Sequence, residues 1–572
     1  MLIALRHLIN NWAAMKKIMF IVLLFSVLIS PQNNKQLSDF AHDFFAWRTI
    51  SQPVTGDDIP RIEKLELWVP NYSPESLKIY KAKYIEFKNR LTAIPIINWT
   101  LSDSVDYLLL RSAVERVNWE INVLKLPESH PEFYVSQTIG SLFDLLLISS
   151  PFTEQRAKNY LARLDAIPKT VEHAKKNLTS PIKPFAQIAV FMLKNIREKL
   201  NKTADELEKI YPDLWKGRLN KFSADASRAL ENYSEWLTKK LPTMTENFNV
   251  GRDNYNYFLR NIALVPYSPE ELLRMGKQEW ERAVAFDTYE KLRNANIPED
   301  KIFNSMEEQI AQEKIDELEI RKFLEGKNIL TIPVWTQHYL LKEFPEYLKP
   351  LNFLGVNDDL TSISRSNENA YRYITKPSKD MGFFQRSAAI DPRPLMIHEG
   401  MPGHYFQLIL SSKNPNFIRQ HYFDSNSNEG IGFYVEEVML QLGLFDNKPH
   451  TREIIYSYMR LRALRVDVDI NLALGNYSIN DAGNYLEKTV PMDKATADAE
   501  AMFFALAPGQ AITYQIGKIQ ILKLISDAKI KLGDKFSLKN YHDYMMINGN
   551  VPIALQRWEY LGLKDEINTL WK

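Results

Sequence analysis

Two histidines and a glutamate occur within seven residues in the stretch IHEGMPGHYFQ. His398 and Glu399 begin like the helical zinc-site motif H-E-x-x-H, in which the second histidine follows the first by four positions. The next histidine here is His404, six positions after His398, and Pro402 and Gly403 lie between them. Imidazole and carboxylate groups are usual ligands of a catalytic zinc ion. The stretch is therefore either a metal site of another design or a chance pair of histidines.

A straight α-helix cannot aim both histidines at one metal ion. Each residue turns the helix by about 100°, so residues six apart are offset by about 240°. Pro402 lacks the amide hydrogen that would bond the carbonyl of His398, and its ring clashes there. Gly403 permits unusual backbone angles. We therefore predict that the backbone leaves regular α-helix between Gly400 and His404, and that this distortion returns His404 to the side of His398.

A second acidic element follows in NEGIGFYVEEVMLQLGLF. The pattern predicts an amphipathic helix that begins at Glu429, with Glu436 seven residues on and about 20° away on the same face. Two carboxylates on a largely apolar helix face are costly unless they are paired or bound to a cation. Two interpretations follow from the residues alone. Either the carboxylates belong to a metal site, or Glu429 caps the helix and Glu436 forms a buried ion pair.

Four segments together resemble the domain of unknown function 885 family, which has the patterns H-E-x-x-P-G-H, E-G-W-x-x-Y-x-E, R-A-x-R-x-x-x-D and P-G-Q-A-x-x-Y-x-I-G. The matching segments are HEGMPGHYFQ, EGIGFYVEEVMLQLGLF, RALRVDVDINLALGNYS and APGQAITYQIGKIQILKL. The stretch AHDFFAWRTISQPVTGDDIPRIE is similar to the family's opening, so the resemblance extends over most of the chain. The main departure is Ile431, where the family usually has Trp. We expect it to affect packing more than chemistry.

The family is similar in layout to helical zinc peptidases of the thimet-oligopeptidase and carboxypeptidase-Taq kinds, which are gluzincins. The resemblance implies a metal site made of His398, His404 and Glu429. It implies that Glu399 is the general base and acid, and that Glu436 orients a ligating histidine by accepting its other ring hydrogen. One Zn²⁺ is the expected ion, although Mn²⁺, Co²⁺ or Fe²⁺ also suit such ligands.

Three further residues in the matched segments are candidates for contacting a substrate. Tyr514 is the candidate donor to a developing oxyanion, because the related peptidases use tyrosines in this way. The alternative for Tyr514 is a core aromatic. Tyr434 and Gln510 are candidates for binding substrate.

Arginines in the third matched segment also have two interpretations. Arg462 and Arg465 could grip a substrate carboxylate with paired hydrogen bonds. They could equally tie Asp467 or Asp469 into a buried network, which is the interpretation that we favour. Among the other histidines, His338 is kept as a spare cleft residue, and the rest are expected at the surface or satisfied in the core.

Composition excludes several other kinds of function. The 71 basic and 70 acidic residues leave a net charge of +1, which gives no support for a nucleic-acid partner. There are no cysteines, so thiolate ligands, disulfides, a cysteine nucleophile and a cysteine-linked lipid anchor are not available. No Gly-rich phosphate loop or G-x-S-x-G elbow occurs. The expected partner is a peptide substrate, and the oligomeric state is left open.

The beginning of the chain resembles an export signal. Met15, Lys16 and Lys17 precede an apolar run from Ile18 to Ser30, which is too short to cross a bilayer comfortably. We expect export to the periplasm or the outside of the cell, with residues 1–14 a start-site artefact. The site of cleavage is not evident. An uncleaved segment would serve as the membrane anchor, and a buried N-terminal helix is the alternative.

Helical periodicity predicts a mostly α protein with a large multi-helix body and a deep cleft. Pro74 to Leu91 and Pro184 to Leu200 are typical helical stretches. Lys327 to Leu354 is rich in β-branched and aromatic residues and is expected to supply one or two strands just before the metal-site helix. Ser362 to Pro394 is expected to form loops and short strands.

We divide the chain into a signal-like segment at 1–30, an N-terminal helical region at 31–326 and a catalytic region at 327–572. The two larger regions are expected to form one continuous body. The predicted function is a zinc-dependent peptidase that acts on short peptides. The alternatives are a metal-dependent amidase on a non-peptide amide, and a non-catalytic peptide-binding protein on the same scaffold.

Overall fold

The computed structural model describes residues 35–54, 62–490 and 492–570 of the chain. Helices dominate these residues and the sheet is small, which confirms the prediction of a mostly α protein with a large multi-helix body. The signal-like segment predicted at 1–30 lies outside the described residues. In the part of the chain that is described, no helix has both the length and the apolar content needed to cross a membrane.

The described residues up to position 326 form helices and the segments that connect them. The α-helices are α1 (Lys35–Ser51), α2 (Pro74–Thr92), α3 (Leu101–Asn118), α4 (Leu126–Ser129), α5 (Pro131–Val135), α6 (Ser141–Leu147), α7 (Glu154–Asn177), α8 (Lys183–Met192), α9 (Ile196–Ile210), α10 (Pro212–Trp215), α11 (Leu219–Lys240), α12 (Gly251–Asn261), α13 (Pro269–Arg293) and α14 (Met306–Gly326). Two π-helical turns, Trp119–Val123 and Ser136–Gly140, and a 3₁₀ turn, Leu241–Thr243, lie between them.

The second half adds the sheet and the helices that carry the candidate site. The strands are β1 (Tyr339–Glu343), β2 (Asp358–Asp359) and β3 (Ala370–Ile374), with a 3₁₀ helix at Lys349–Leu354. The helices are α15 (Phe383–Ile390), α16 (Arg393–Leu395), a π-helical turn (Met396–Gly400), α17 (His404–Ser411), α18 (Phe417–His421), α19 (Ser425–Leu442), α20 (Pro449–Leu474), α21 (Ile479–Thr489), α22 (Lys494–Leu506), α23 (Thr513–Leu532), a 3₁₀ turn (Gly533–Lys535), α24 (Leu538–Ile547), α25 (Ile553–Leu561) and α26 (Ile567–Leu570).

The sheet has the strand order β1-β3-β2, with β1 parallel and β2 antiparallel to the central strand β3. One strand falls inside Lys327 to Leu354, as predicted. Ser362 to Pro394 contributes β3, but it also contains the helix α15, so its interpretation as loops and short strands is wrong in part. The apolar pair Phe383 and Phe384 at the start of α15 packs against Tyr458 of α20.

Local signals explain where two of the predicted helices begin and end. Ser73 caps α2 by accepting a hydrogen bond from the amide of Ser76, which confirms the predicted helix at Pro74 to Leu91. The single helix predicted from Pro184 to Leu200 is wrong, because α8 ends at Met192 and α9 starts after Asn195. Asn195 has a left-handed backbone conformation, with φ of 57°, which no continuous α-helix accommodates.

The hydrophobic cores combine residues from both sides of position 326. Leu37 and Phe40 of α1 share one core with Val551 and Leu555 near the end of the chain. Another core joins residues 255–272 with helices α20 and α23. These shared cores agree with one continuous body, whereas the exact boundary at 326 stays a prediction.

A buried carboxyl group under the sheet predicts a pH-dependent stability. Glu313 of α14 is fully buried, and burial raises its pKa from the ordinary 4.5 to about 8, which the nearby amide of Leu341 offsets only in part. Below pH 4.5 the group is neutral in both the folded and the unfolded protein. As the pH rises through 8, the folded protein must ionise a carboxyl that the unfolded chain ionised earlier, so its contribution to stability is lost.

Glu313→Gln is therefore expected to flatten the decline of stability between pH 4.5 and 8. Between pH 4.5 and pH 8 the stability of the variant relative to the wild type should rise by more than about 1 kcal/mol, since one pKa unit corresponds to about 1.4 kcal/mol. Urea unfolding across this pH range measures the effect. Glu319→Gln, an exposed position of the same helix, is the control. Parallel pH profiles for the wild type and Glu313→Gln would contradict the prediction.

Candidate metal centre

The backbone departs from α-helix where the sequence required it. The π-helical turn Met396–Gly400 ends at Met401, which is extended, with φ of −120° and ψ of 124°. The peptide bond between Met401 and Pro402 is cis. Regular α-helix begins again at His404. The rings of His398 and His404 then lie with their centroids 4.7 Å apart, so the predicted distortion between Gly400 and His404 is confirmed.

Glycine is required at position 403 because the backbone of the turn passes very close to the preceding carbonyl groups there. A Cβ atom at this position would lie 1.8 Å from the carbonyl oxygen of His398 and 2.4 Å from that of Ile397. Its φ of −82° is accessible to any residue, so space and not the sign of φ selects glycine. The turn that brings the histidines together therefore depends on the absence of a side chain here.

The helix α19 presents the acidic residues to these histidines. It begins at Ser425 and is capped by Asp424, which accepts a hydrogen bond from the amide of Ser427. The predicted start at Glu429 is therefore wrong by one helical turn, and Glu429 is not the capping residue. The helix starts earlier because the Asp424 side chain satisfies amides of its first turn.

Gly432 provides the space in which both histidine rings lie. It follows Glu429 by three residues on the same face of α19. A Cβ atom there would lie 2.8 Å from the Cε1 atoms of both His398 and His404. Its role was missed in the sequence, although a small residue beside two carboxylates on one helix face is a signal that could have indicated it.

The three candidate ligands are spaced as metal ligands. His404 Nε2 lies 3.3 Å and His398 Nε2 lies 3.5 Å from the same oxygen, Glu429 Oε2. One ligand atom from each residue lies within 4.8 Å of the others. Donors bound to one tetrahedral zinc ion at about 2.0–2.1 Å stand roughly 3.3 Å apart, whereas direct hydrogen bonds would measure about 2.7–3.2 Å. The residues therefore fit a shared cation better than a set of mutual hydrogen bonds.

Burial and unsatisfied atoms support the same conclusion. His398, His404 and Glu429 are each at most 5% exposed. Within the described ranges, Glu429 Oε2 has no hydrogen-bond partner, and a buried carboxylate oxygen without a partner is costly. A cation held between the three side chains would remove that cost.

The charges around the centre favour a positive species at this point. Burial lowers the pKa of His398, but the neighbouring carboxylates Glu429 and Glu436 outweigh this effect and raise it to about 9. Burial raises the pKa of Glu429, but His404 and His398 outweigh it and hold the pKa well below its usual range.

Glu436 and Arg462 hold the first histidine in place. Glu436 Oε1 lies 2.7 Å from His398 Nδ1, and this leaves Nε2 directed towards Glu429. Arg462 of α20 approaches the same oxygen with Nη2 at 2.8 Å. The predicted supporting role of Glu436 thus has the required geometry. The predicted ion pair of Arg462 with Asp467 or Asp469 is wrong, because the guanidinium meets Glu436 instead.

Glu436→Gln is expected to weaken metal binding about 10- to 100-fold, the usual effect of removing an outer partner of a ligating histidine. The reason is that a neutral amide no longer fixes the ring orientation or raises the basicity of His398. Titration with Zn²⁺ in the presence of a competing chelator measures the affinity. Glu500→Gln is the matched control, because Glu500 pairs with a neighbouring arginine of α20 and not with His398. Equal affinities in the wild type and Glu436→Gln would contradict the prediction.

Tyr514 lies beside the centre. Its ring is stacked on that of His398, with centroids 6.4 Å apart and an angle of 17° between the planes. The guanidinium groups of Arg462 and Arg465 lie 5.6 and 4.4 Å from the centre of the Tyr514 ring. Arg465 is held in turn by two hydrogen bonds of 2.7 Å to Glu500. Nothing in the sequence signalled Glu500, and the predicted pairing of Arg465 with an aspartate of its own helix is wrong.

Asp469 does not pair with these arginines but stabilises the segment before Tyr514. Its carboxylate accepts hydrogen bonds from the amides of Gly509, Ala511 and Ile512, at 2.8, 2.7 and 3.2 Å. These bonds fix the turn that leads into α23, whose second residue is Tyr514. The helix α20 thus supports the site at three points, through Arg462, Arg465 and Asp469.

Three other candidates have less support. Tyr434 is buried, and its hydroxyl group lies 2.8 Å from His542 Nε2, so the prediction that it binds substrate is wrong. Gln510 is half-buried in the turn before α23, and its substrate role stays a prediction. The side chain of His338 is 41% exposed and pairs with Glu317 at 2.9 Å.

The family model for bacterial proteins of unknown function, DUF885, matches residues 64–293 and 361–558, which is more than half of the chain. The chain belongs to the DUF885 family. This confirms the family resemblance, whereas the relationship of DUF885 proteins to zinc peptidases stays a proposal. Ile431, which stands where the DUF885 pattern has Trp, is fully buried in the core around the site.

Two solved structures share the fold. A predicted lipoprotein of unknown function from Shewanella oneidensis is 17% identical, with a TM-score of 0.70, and the match covers 93% of this chain and 100% of that one. A predicted lipoprotein from Colwellia psychrerythraea is 19% identical, with a TM-score of 0.71, and covers 91% and 97%. No curated protein matches this chain.

Proposed function

We propose that this protein is a zinc-dependent peptidase that hydrolyses short peptides. The observation that carries the proposal is the convergence of His398, His404 and Glu429 at ligand spacing, with Glu399 directly after the first ligand. Two histidines and one glutamate leave a fourth zinc position open, which is typical of catalytic rather than structural sites.

Each side chain of the centre then has a chemical task. Zn²⁺, when bound, polarises a carbonyl group and makes a water molecule more acidic. Glu399 accepts a proton from the attacking water and passes it to the leaving amine. Tyr514 donates a hydrogen bond to the oxyanion that develops on the substrate carbonyl. Glu436 keeps the Nε2 atom of His398 directed into the site.

The presence of Glu399 favours a peptidase over the alternative of a non-catalytic binding protein on the same scaffold. A non-catalytic scaffold has no use for a carboxyl group adjacent to a metal-binding histidine. The Glu399 side chain is 14% exposed and is therefore the most accessible acidic group of the centre. Its Oε2 atom is available for a proton, because no hydrogen-bond partner of this atom occurs among residues 35–54, 62–490 and 492–570.

We also propose that the protein is exported. The apolar run from Ile18 to Ser30 after two lysines supports export, and so does the likeness to two predicted lipoproteins. Fractionation of cells that express the full chain tests this point. Recovery of the protein from the cytoplasm alone would contradict it.

The test of the activity is digestion of a peptide library by purified protein before and after removal of metal. We expect cleavage by the metal-loaded protein, loss of cleavage after treatment with a chelator, and recovery when Zn²⁺ is added back. Hydrolysis of non-peptide amides alone would point to the amidase alternative. Peptide binding without hydrolysis would contradict the proposal and favour a binding protein.

A further inference from the structure

The small sheet lies directly against the turn that carries Glu399. Tyr339, the first residue of β1, packs on Gly400 so closely that a Cβ atom there would lie 2.7 Å from Tyr339 Cδ1. The hydroxyl group of Tyr339 donates a hydrogen bond of 2.6 Å to Asp358 of β2. Both residues are at most 1% exposed. The contact fixes the position of the sheet relative to the turn.

Arg372 of the central strand β3 completes this arrangement. It faces Asp358 in the antiparallel register and binds the Asp358 carboxylate through Nη1 at 2.6 Å. The same Nη1 atom lies 3.7 Å from Glu399 Oε1. Three strands therefore contribute one residue each to a chain of contacts that begins at Gly400 and returns to Glu399.

Among the residues that the structure describes, Arg372 is the cationic side chain that contacts the Glu399 carboxyl group. The other oxygen, Oε2, is buried and has no hydrogen-bond partner within the described part of the chain. A glutamate side chain has several rotamers of similar energy, and a proton-transferring group loses efficiency when it is misplaced. A fixed cation on one oxygen would hold the carboxylate while the second oxygen stays available.

We propose that Arg372 is a positioning residue for Glu399, and that the function of the sheet is to present this guanidinium group. The inference rests on the proposed function, because it gives Glu399 its role in proton transfer. Arg372 acts through Glu399 and is not a ligand of the metal. Asp358 and Tyr339 serve to hold Arg372 at its place.

A second ion pair, between β2 and the segment that leads to β3, serves as a matched control. Arg365 binds Asp359, the residue after Asp358, and Glu368 at 3.1 Å. Its side chain is 18% exposed, against 20% for Arg372. Removing Arg365 therefore costs the sheet a similar ion pair without any contact to Glu399.

The experiment compares the wild type with Arg372→Gln, Arg372→Lys and Arg365→Gln. Arg372→Gln is expected to lower kcat about 10²-fold, the effect of a small misplacement at a reacting centre. KM and the zinc content should stay close to wild type, because Arg372 contacts none of the proposed ligands. Arg372→Lys should recover part of kcat, and Arg365→Gln should retain it. Crystal structures of the four proteins should show the Glu399 carboxylate displaced in Arg372→Gln alone.

The two readouts separate this inference from the proposed function. If the wild type cleaves no peptide, the proposed function fails, and the position of Glu399 in the Arg372→Gln crystal still decides the inference. If the Glu399 carboxylate of Arg372→Gln occupies its wild-type position, the inference is wrong. Among active proteins, an unchanged kcat in Arg372→Gln overturns it as well. Equal losses in Arg372→Gln and Arg365→Gln would mean that the sheet acts through stability alone.

Discussion

Glu399→Gln is expected to reduce peptide hydrolysis by about 10³-fold, within the range that a positioned general base contributes. Glutamine has the shape of glutamate but cannot accept a proton from the attacking water. The ligands His398, His404 and Glu429 are untouched, so the bound metal should stay at the wild-type level. Single-turnover rates with a cleaved peptide, together with metal analysis of the same samples, measure both quantities.

The control for this variant is Glu346→Gln. Glu346 follows the strand β1 in sequence, its side chain is 60% exposed, and its partner is the surface residue Lys349. We expect full activity in this variant. If Glu399→Gln hydrolyses peptides as fast as Glu346→Gln, Glu399 is not the base, and the proposed mechanism is wrong.

Gly403→Ala is expected to have a large effect on both stability and metal binding. The new Cβ atom would overlap the carbonyl oxygen of His398, 1.8 Å away. The oxygen belongs to the backbone and the new Cβ atom is bonded directly to the backbone, so the turn itself must move. We expect a loss of stability of roughly 2–4 kcal/mol and the loss of metal binding, since the two histidines no longer converge. Denaturant unfolding and metal analysis measure the two effects.

Gly326→Ala is the matched control for this substitution. A Cβ atom at Gly326, the last residue of α14, meets nothing within 4 Å. Its stability should be unchanged or raised by up to about 1 kcal/mol, the usual gain from alanine at an unstrained glycine. A Gly403→Ala protein with wild-type stability and metal content would show that the turn does not need the glycine.

The metal-site turn was predictable because local rules determine it. Proline lacks the amide hydrogen that the helix needs, and the helical angle between His398 and His404 excludes a straight path. The same angle places Tyr434 about 140° from Glu429, so helix geometry alone would have removed Tyr434 from the substrate candidates. The family patterns then predicted which distant segments contribute residues to the same site.

The contacts between distant elements were not predictable. Arg462 and Arg465 have aspartates nearby on their own helix, yet they pair with Glu436 and Glu500 because α20 packs between α19 and α22. Arg372 lies in a polar stretch without a motif, and only the register of β2 with β3 brings it to Asp358. Such pairings depend on tertiary packing, which periodicity does not encode.

The most direct test of the metal centre is a crystal of the purified protein with Zn²⁺, measured at wavelengths on both sides of the zinc absorption edge. We expect one strong anomalous peak about 2.0–2.2 Å from His398 Nε2, His404 Nε2 and a carboxylate oxygen of Glu429. In His404→Gln the peak should vanish, and in His421→Gln, which changes a histidine bonded to the Phe417 carbonyl of its own helix, it should remain. A crystal with zinc bound elsewhere and none between these three side chains would contradict the account.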